Sequence, residues 1–432
     1  MHRQERFRGS ALGSSGPGFA LLALCAFCFL SLAACRDRGE GAGSANAGAG
    51  HSGFKNATAG AVADLSPEHS AKNSSHIHLD FDFGARQLLV FRHELQGAGT
   101  ASDSLTVLLA GGEEADLEEF RLLLARQAGI GPPLQVFEAQ RLDFLSHDLG
   151  RRLLGPVEAL LEDSPRWVVS PLSAAPLEAL VLPWGDGDTL LLQRVVVSYT
   201  ARAADGSKST TQCPLAANSR QSAGHSAGHG ILALIPYTPD LTPLQDDPDT
   251  LLWTLRSQLR RLDTIPRAET SPGELETVLA AATGSEGYAL VLLRARPAEA
   301  EPLLSSLSGT NSLVWWVRPP HEERSNGYLG EARTRARCLK QARRLVRGGY
   351  GVVVDLWPRD DQSVKRGVKV WIAALQSEEP VALALTEAKR AIARRDPDRP
   401  GLWAGWIALG PCDTPLKLSR PGLLQRIFSS GH

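Results

Sequence analysis

The stretch SAGHSAGHG, residues 222–230, places His225 and His229 four positions apart and ends on a His-Gly pair. An imidazole beside a strand is a candidate general base, and two at i and i+4 would share a metal on a helix. The glycines and serines around them disfavour a helix, and no HExxH glutamate lies between them. The stretch therefore reads as a loop, and no metal site is expected. The candidate nucleophiles are thiols. Cys338 lies in EARTRARCLKQARRL beside Arg333, Arg335, Arg337, Arg343 and Arg344, and neighbouring cations lower a thiol pKa. A displaced cysteine–histidine pair would draw on Cys338 or Cys213 as nucleophile and on His225, His229 or His321 as base. The plainer readings are a buried helical cysteine and solvated loop histidines. Neither a Walker pattern nor GxGxxG is present, so no nucleotide cofactor is expected.

The elements that must hold these groups alternate along the chain. HIHLDFDF and RQLLVFRHEL read as adjacent strands, EEADLEEFRLLLARQA as a helix. The stretch LQVFEAQRLDFLSHDLGRRLLGPVEALLED is a longer helix, with Leu142, Leu145, Leu149 and Leu153 on one face. Strands are expected at 166–171, 189–200, 230–237, 288–295, 312–318, 350–358 and 401–410. Several are apolar on both faces, as in a mainly parallel sheet covered on both sides by helices. Those helices are LLWTLRSQLRRL, PGELETVLAAA, EARTRARCLKQARRLVRGG, SVKRGVKVWIAAL and PVALALTEAKRAIARR. In the fourth, Val364, Val368, Trp371 and Leu375 form one stripe, and the fifth opens at Pro380.

The chain of 432 residues is 43% hydrophobic and 22% charged, with net charge −1, which is no basis for expecting a nucleic-acid partner. Its first 35 residues stand apart. Arg3, Arg6 and Arg8 precede the apolar run FALLALCAFCFLSLAA, the layout of a secretory signal. LAAC at 32–35 resembles the lipobox of bacterial lipoproteins. That resemblance implies cleavage before Cys35, lipidation of its thiol, and a body tethered to a membrane in the bacterial cell envelope. Loss of Cys25 and Cys28 with the signal would leave Cys213, Cys338 and Cys412 beside the acylated Cys35, too few and too far apart for a disulfide framework. The Gly/Ala/Ser-rich residues 35–73 read as a flexible tether.

The C-terminal third carries a second resemblance. Leu356, Trp357, Pro358 and Asp361, then Pro380, Ala384, Leu385, Trp403, Ala404 and Gly410, match the pattern of the CHAT domain. This is a family of caspase-like fold within the clan CD cysteine peptidases, and the likeness runs from about residue 85 to 412. It implies an α/β, caspase-like three-layer sandwich with a mainly parallel central sheet flanked by helices. Its implied limits are 74–415, with a division into 74–162 and 163–415 left open, followed by a tail at 416–432. In peptidase members a His-Gly pair follows one strand and a cysteine ends the next. Here those slots fall on Arg296 and on or beside Pro319. Proline has neither a thiol nor an N–H for an oxyanion hole, and a guanidinium is no base near neutral pH. The expectation is thus a lipid-anchored, catalytically degenerate CHAT-like module that binds a protein or peptide, the alternative being an active endopeptidase with a displaced pair.

Overall fold

Alternating burial along HIHLDFD drives Ile77, Leu79 and Phe81 into the core and makes β1 (His76–Asp82) a strand covered on one face. It pairs antiparallel with β2 (Gln87–His93), and β2 in turn with the edge strand β3 (Ser102–Leu108). The computed structural model describes residues 76–93, 102–161, 164–170, 176–184, 187–200, 230–235, 250–259, 262–266, 288–295, 300, 304, 313–318, 327–357, 361–413, 415, 416 and 418. All of them lie in the unit Gly53–His432.

Beyond the hairpin, β1 is followed in the sheet by β4 (Arg166–Ser170), β7 (Val196–Tyr199) and β13 (Trp406–Leu409), all parallel to it. A second parallel block contains β12 (Gly351–Asp355), β11 (Leu313–Val317), β10 (Leu290–Arg294), β8 (Ile231–Ile235) and β9 (Leu262–Pro266). The blocks meet at β12 and β13, which are antiparallel from Val352↔Leu409 to Asp355↔Trp406. Among the described residues the order is β3-β2-β1-β4-β7-β13-β12-β11-β10-β8-β9. A small hairpin of β5 (Val181–Trp184) and β6 (Gly187–Leu190) stands outside this sheet.

Helices cover both faces, giving a mixed, mostly parallel α/β sandwich of three layers. The helices α1 (Glu113–Gln127), α2 (Val136–Leu154) and α4 (Gly327–Arg347) pack on one side. They share a core with alternate strand residues such as Val314, Trp316, Val352 and Val354. On the other side lie α3 (Thr250–Gln258), α5 (Asp361–Gln376) and α6 (Val381–Ala393), over Leu313, Trp315, Val317 and Val353. The period of two along β11 therefore sends its two tryptophans to opposite cores. Trp315 meets Trp371 and Trp406 at centroid distances of 4.6 and 5.8 Å.

Two expected strands are shorter than their apolar runs. Within 189–200 the chain turns through a helical stretch, Leu191–Arg194, that buries Leu191 and Leu192 before β7 begins. Within 401–410, Gly401–Ala404 is helical and only Trp406–Leu409 joins the sheet. A Cβ at Gly401 would stand 2.3 Å from the Leu124 carbonyl oxygen, so only glycine lets this turn approach α1. The stretches β3 and β9 escaped the apolar patterning because they are edge strands. Pro380 precedes α6 rather than forming part of it. The expected helix at 272–282 lies outside the described residues.

Candidate functional site

In a parallel sheet the functional crevice lies outside the carboxyl ends of the strands, where successive connections leave in opposite directions. In the second block that place is between β8 and β10. From β8 the chain moves outward to β9, returns across β8 to β10, and then continues through β11 to β12. The register holds Leu234, Leu293, Trp316 and Val354 at one level near this edge.

The residues that close these strands are buried and tied down. The Trp316 indole donates to the Ala295 carbonyl at 2.9 Å, sealing the end of β10. Arg318, 2% exposed, follows β11 and donates through Nη1 to the Leu356 carbonyl beyond β12. Asp355 ends β12 and is buried as well, so a carboxyl side chain and the Arg318 guanidinium stand at the ends of neighbouring parallel strands. The Leu356 N–H donates to the Gly405 carbonyl at 2.7 Å, and the Trp357 indole to that of Gly401 at 2.9 Å. A Cβ at Gly405 would fall 2.4 Å from the Trp357 ring, so that residue too must be glycine. Trp315 and Trp316 are both core residues and line no cleft.

The candidate residues divide accordingly. Arg296, Pro319 and His321 lie just beyond the ends of β10 and β11, outside the described residues, as do Cys35, Cys213, His225 and His229. Cys338 is fully buried on the sheet-facing side of α4, in the core with Leu339, Ala342 and Leu345. The helical repeat turns the nearby Arg333, Arg337 and Arg344 to the opposite, exposed face. Arg335, which is buried, bonds Glu118 of α1. Of the cations that the sequence suggested around Cys338, Arg333, Arg337 and Arg344 are therefore directed away from it, while Arg335 shares its buried face. Cys412 is buried behind β13, where its Sγ lies 3.2 Å from the Leu409 carbonyl. Burial, reinforced by the charge of Asp413, pushes its thiol up to about 12, far from the thiolate a nucleophile needs. Among the described residues, no three His, Cys, Asp or Glu side chains are placed to hold a metal ion.

A second buried polar cluster sits at the carboxyl end of β7, in the first block. Lys389 of α6 donates to Glu178 Oε1 at 2.6 Å, while the Tyr199 hydroxyl donates to Glu178 Oε2 at 2.8 Å and accepts the Leu177 N–H at 3.0 Å. All three side chains are buried. Burial, followed by the carboxylate charge, holds Tyr199 well above its ordinary range. With both carboxylate oxygens engaged, the cluster works as a clamp between α6 and the 3₁₀ turn Leu177–Ala179. Sequence reasoning missed it, since Glu178 and Lys389 are 211 positions apart. Arg318 left a faint trace, a cation closing the otherwise apolar run LVWWVR.

No protein-family model matches the chain, and no curated protein does. Among solved structures the chain is similar to one described as the Saccharomyces cerevisiae separase–securin complex. The TM-score is 0.48 and the identity 9%, over 80% of this chain and 30% of that one. The chain thus spans under a third of the length of that protein, and a likeness of this extent carries no argument about activity.

Proposed function

We propose that this protein is a lipid-anchored, extracytoplasmic module of caspase-like, CHAT-related fold that has lost its catalytic dyad and binds a protein or peptide. The observation that carries the reading is the pair of neighbouring strand ends, of β10 and β11, beside the switch point. One runs into Arg296 and Pro297. The other runs through the buried, bonded Arg318 into Pro319 and Pro320, and neither offers an imidazole or thiol where the fold would use one. The loss of a dyad leaves the surrounding shape available for recognition. LAAC at 32–35 supports the anchor through Cys35.

The test is incubation with a diverse peptide library and a thiol-reactive peptide probe, read by mass spectrometry. Bound peptides are expected intact and the probe unincorporated. Peptide turnover or stoichiometric labelling that disappears in Cys338→Ser or Cys213→Ser would overturn the reading in favour of a displaced peptidase pair. Metabolic labelling with a palmitate analogue tests the anchor separately: incorporation should vanish in Cys35→Ala, and incorporation that survives counts against it.

A further inference from the structure

One face of α4 carries cations at 333, 337, 340, 344 and 347, spaced four, three, four and three residues apart. Arg333, Arg337, Lys340, Arg344 and Arg347 are all exposed, opposite the buried Arg335, Cys338, Leu339, Ala342 and Leu345. At 1.5 Å per residue the ridge is about 20 Å long. Among the described residues no carboxylate pairs with any of the five; the α4 arginine that does form an ion pair, Arg335, points inward to Glu118. Repulsion from Arg347 adds to burial in lowering the pKa of Arg343 beside it, a sign of crowded positive charge. The chain as a whole has net charge −1, so the ridge is a local asymmetry rather than general basicity.

The same helical layer carries a second outward feature. On α2, Phe137 is 63% and Phe144 54% exposed. They are seven residues apart, opposite the buried Leu142, Leu145 and Leu149, and Arg151 continues their line, also exposed. The Arg141 guanidinium lies 5.4 Å from the Phe144 ring centroid. The helix α1 is bonded to α2 through Arg141–Glu119 and to α4 through Arg335–Glu118, so it joins the two helices, and those bonds take up its carboxylates Glu118 and Glu119.

We infer that the outer face of this layer is a docking surface for an anionic lipid bilayer, with the α4 cations on headgroups and the α2 phenylalanines dipping into the interface. Cations in a line beside shallow aromatic anchors are what such a surface requires. A protein partner calls for an apolar centre, and among the described side chains of α4, from Ala332 to Arg347, the exposed ridge carries no apolar side chain larger than Ala336. Single-stranded nucleic acid calls for aromatic rings interleaved with the cations, and here they stand on a different helix. Among the described residues no helix is long and apolar enough to cross a membrane, so the contact is peripheral.

The test uses residues 53–432, the compact unit that contains both cores and lacks Cys35, so its outcome is independent of the anchor. The protein is sedimented with phosphatidylcholine vesicles, with and without about one-third phosphatidylglycerol. Binding is expected to the anionic vesicles only and to weaken with salt. At about fivefold per charge, the triple variant Arg337→Gln, Lys340→Gln, Arg344→Gln should lower partitioning on the order of a hundredfold. Phe137→Ser with Phe144→Ser should lower it on the order of tenfold and leave the salt dependence unchanged. These are surface substitutions, and each variant's far-UV spectrum is matched to the parent's before binding is compared. Equal binding to neutral vesicles, undiminished binding by the triple variant, or capture of a single-stranded oligonucleotide or an acidic peptide in preference to vesicles would overturn the inference.

Discussion

Arg318 shows how one side chain can occupy the edge where chemistry would otherwise sit. Its guanidinium is buried and its Nη1 bonds the Leu356 carbonyl, joining the end of β11 to the end of β12. Truncation leaves that carbonyl without its donor and opens a cavity. Arg318→Ala is therefore expected to lower stability by about 2–3 kcal/mol in urea denaturation, and a loss under about 0.5 kcal/mol would show the tie to be dispensable. Cys412 gives a residue-scale prediction with a defined sign. The unfolded chain ionises near the ordinary thiol value, about 8.5, whereas burial raises the folded thiol to about 12. Its contribution is complete below the ordinary value and is lost as pH rises through the window up to about 12. The urea midpoint should thus fall more steeply above pH of about 9 in the parent than in Cys412→Ala. Parallel profiles for the two proteins would remove this thiol from the alkaline limb.

At the scale of elements, the clamp on α6 depends on a buried pair whose partners come from opposite halves of the chain. Lys389→Ala strands the Glu178 carboxylate in a dry site, and breaking a buried pair in this way typically costs about 3–5 kcal/mol. Replacing both charges, as Glu178→Gln with Lys389→Met, removes the stranded charge and should recover at least half of that loss. A double-mutant cycle measures the coupling, and additive single effects would mean that the two side chains act independently. The helices themselves were largely legible. Leu142, Leu145, Leu149 and Leu153, spaced for one helical face, are all buried on α2, and Val368, Trp371 and Leu375 are buried on α5. The stretches 189–200 and 401–410 were less legible, because an apolar run does not reveal where its period changes from two to 3.6. Leu191 and Leu192, and the turn Gly401–Ala404, extend the apolar runs of the strands they precede.

For the whole molecule, the two parallel blocks share one sheet through the β12–β13 seam, and each core runs under strands of both blocks. Val197 of the first block lies in the same core as Val314 of the second, and Val196 in the same core as Trp315. Unfolding of residues 53–432 is accordingly expected to give coincident tryptophan-fluorescence and far-UV circular dichroism transitions. The buried tryptophans report on both cores: Trp167, Trp184, Trp316, Trp357 and Trp403 on one, and Trp315, Trp371 and Trp406 on the other. Two separated transitions would show the blocks to be independent folding units.

By itself the sequence determined the alternation of strands and helices, the α/β class, and the residue types at the ends of β10 and β11. These are local properties, written in periodicity and in residue identity. Tertiary structure alone decided that the blocks run in opposite directions and meet at β12 and β13, because strand polarity depends on how distant segments pair. It also decided that Lys389 finds Glu178, and that Cys338 faces a core beside the buried Arg335 while Arg333, Arg337 and Arg344 stand on an exposed ridge. The inner and outer faces of a helix acquire meaning only once something packs against one of them.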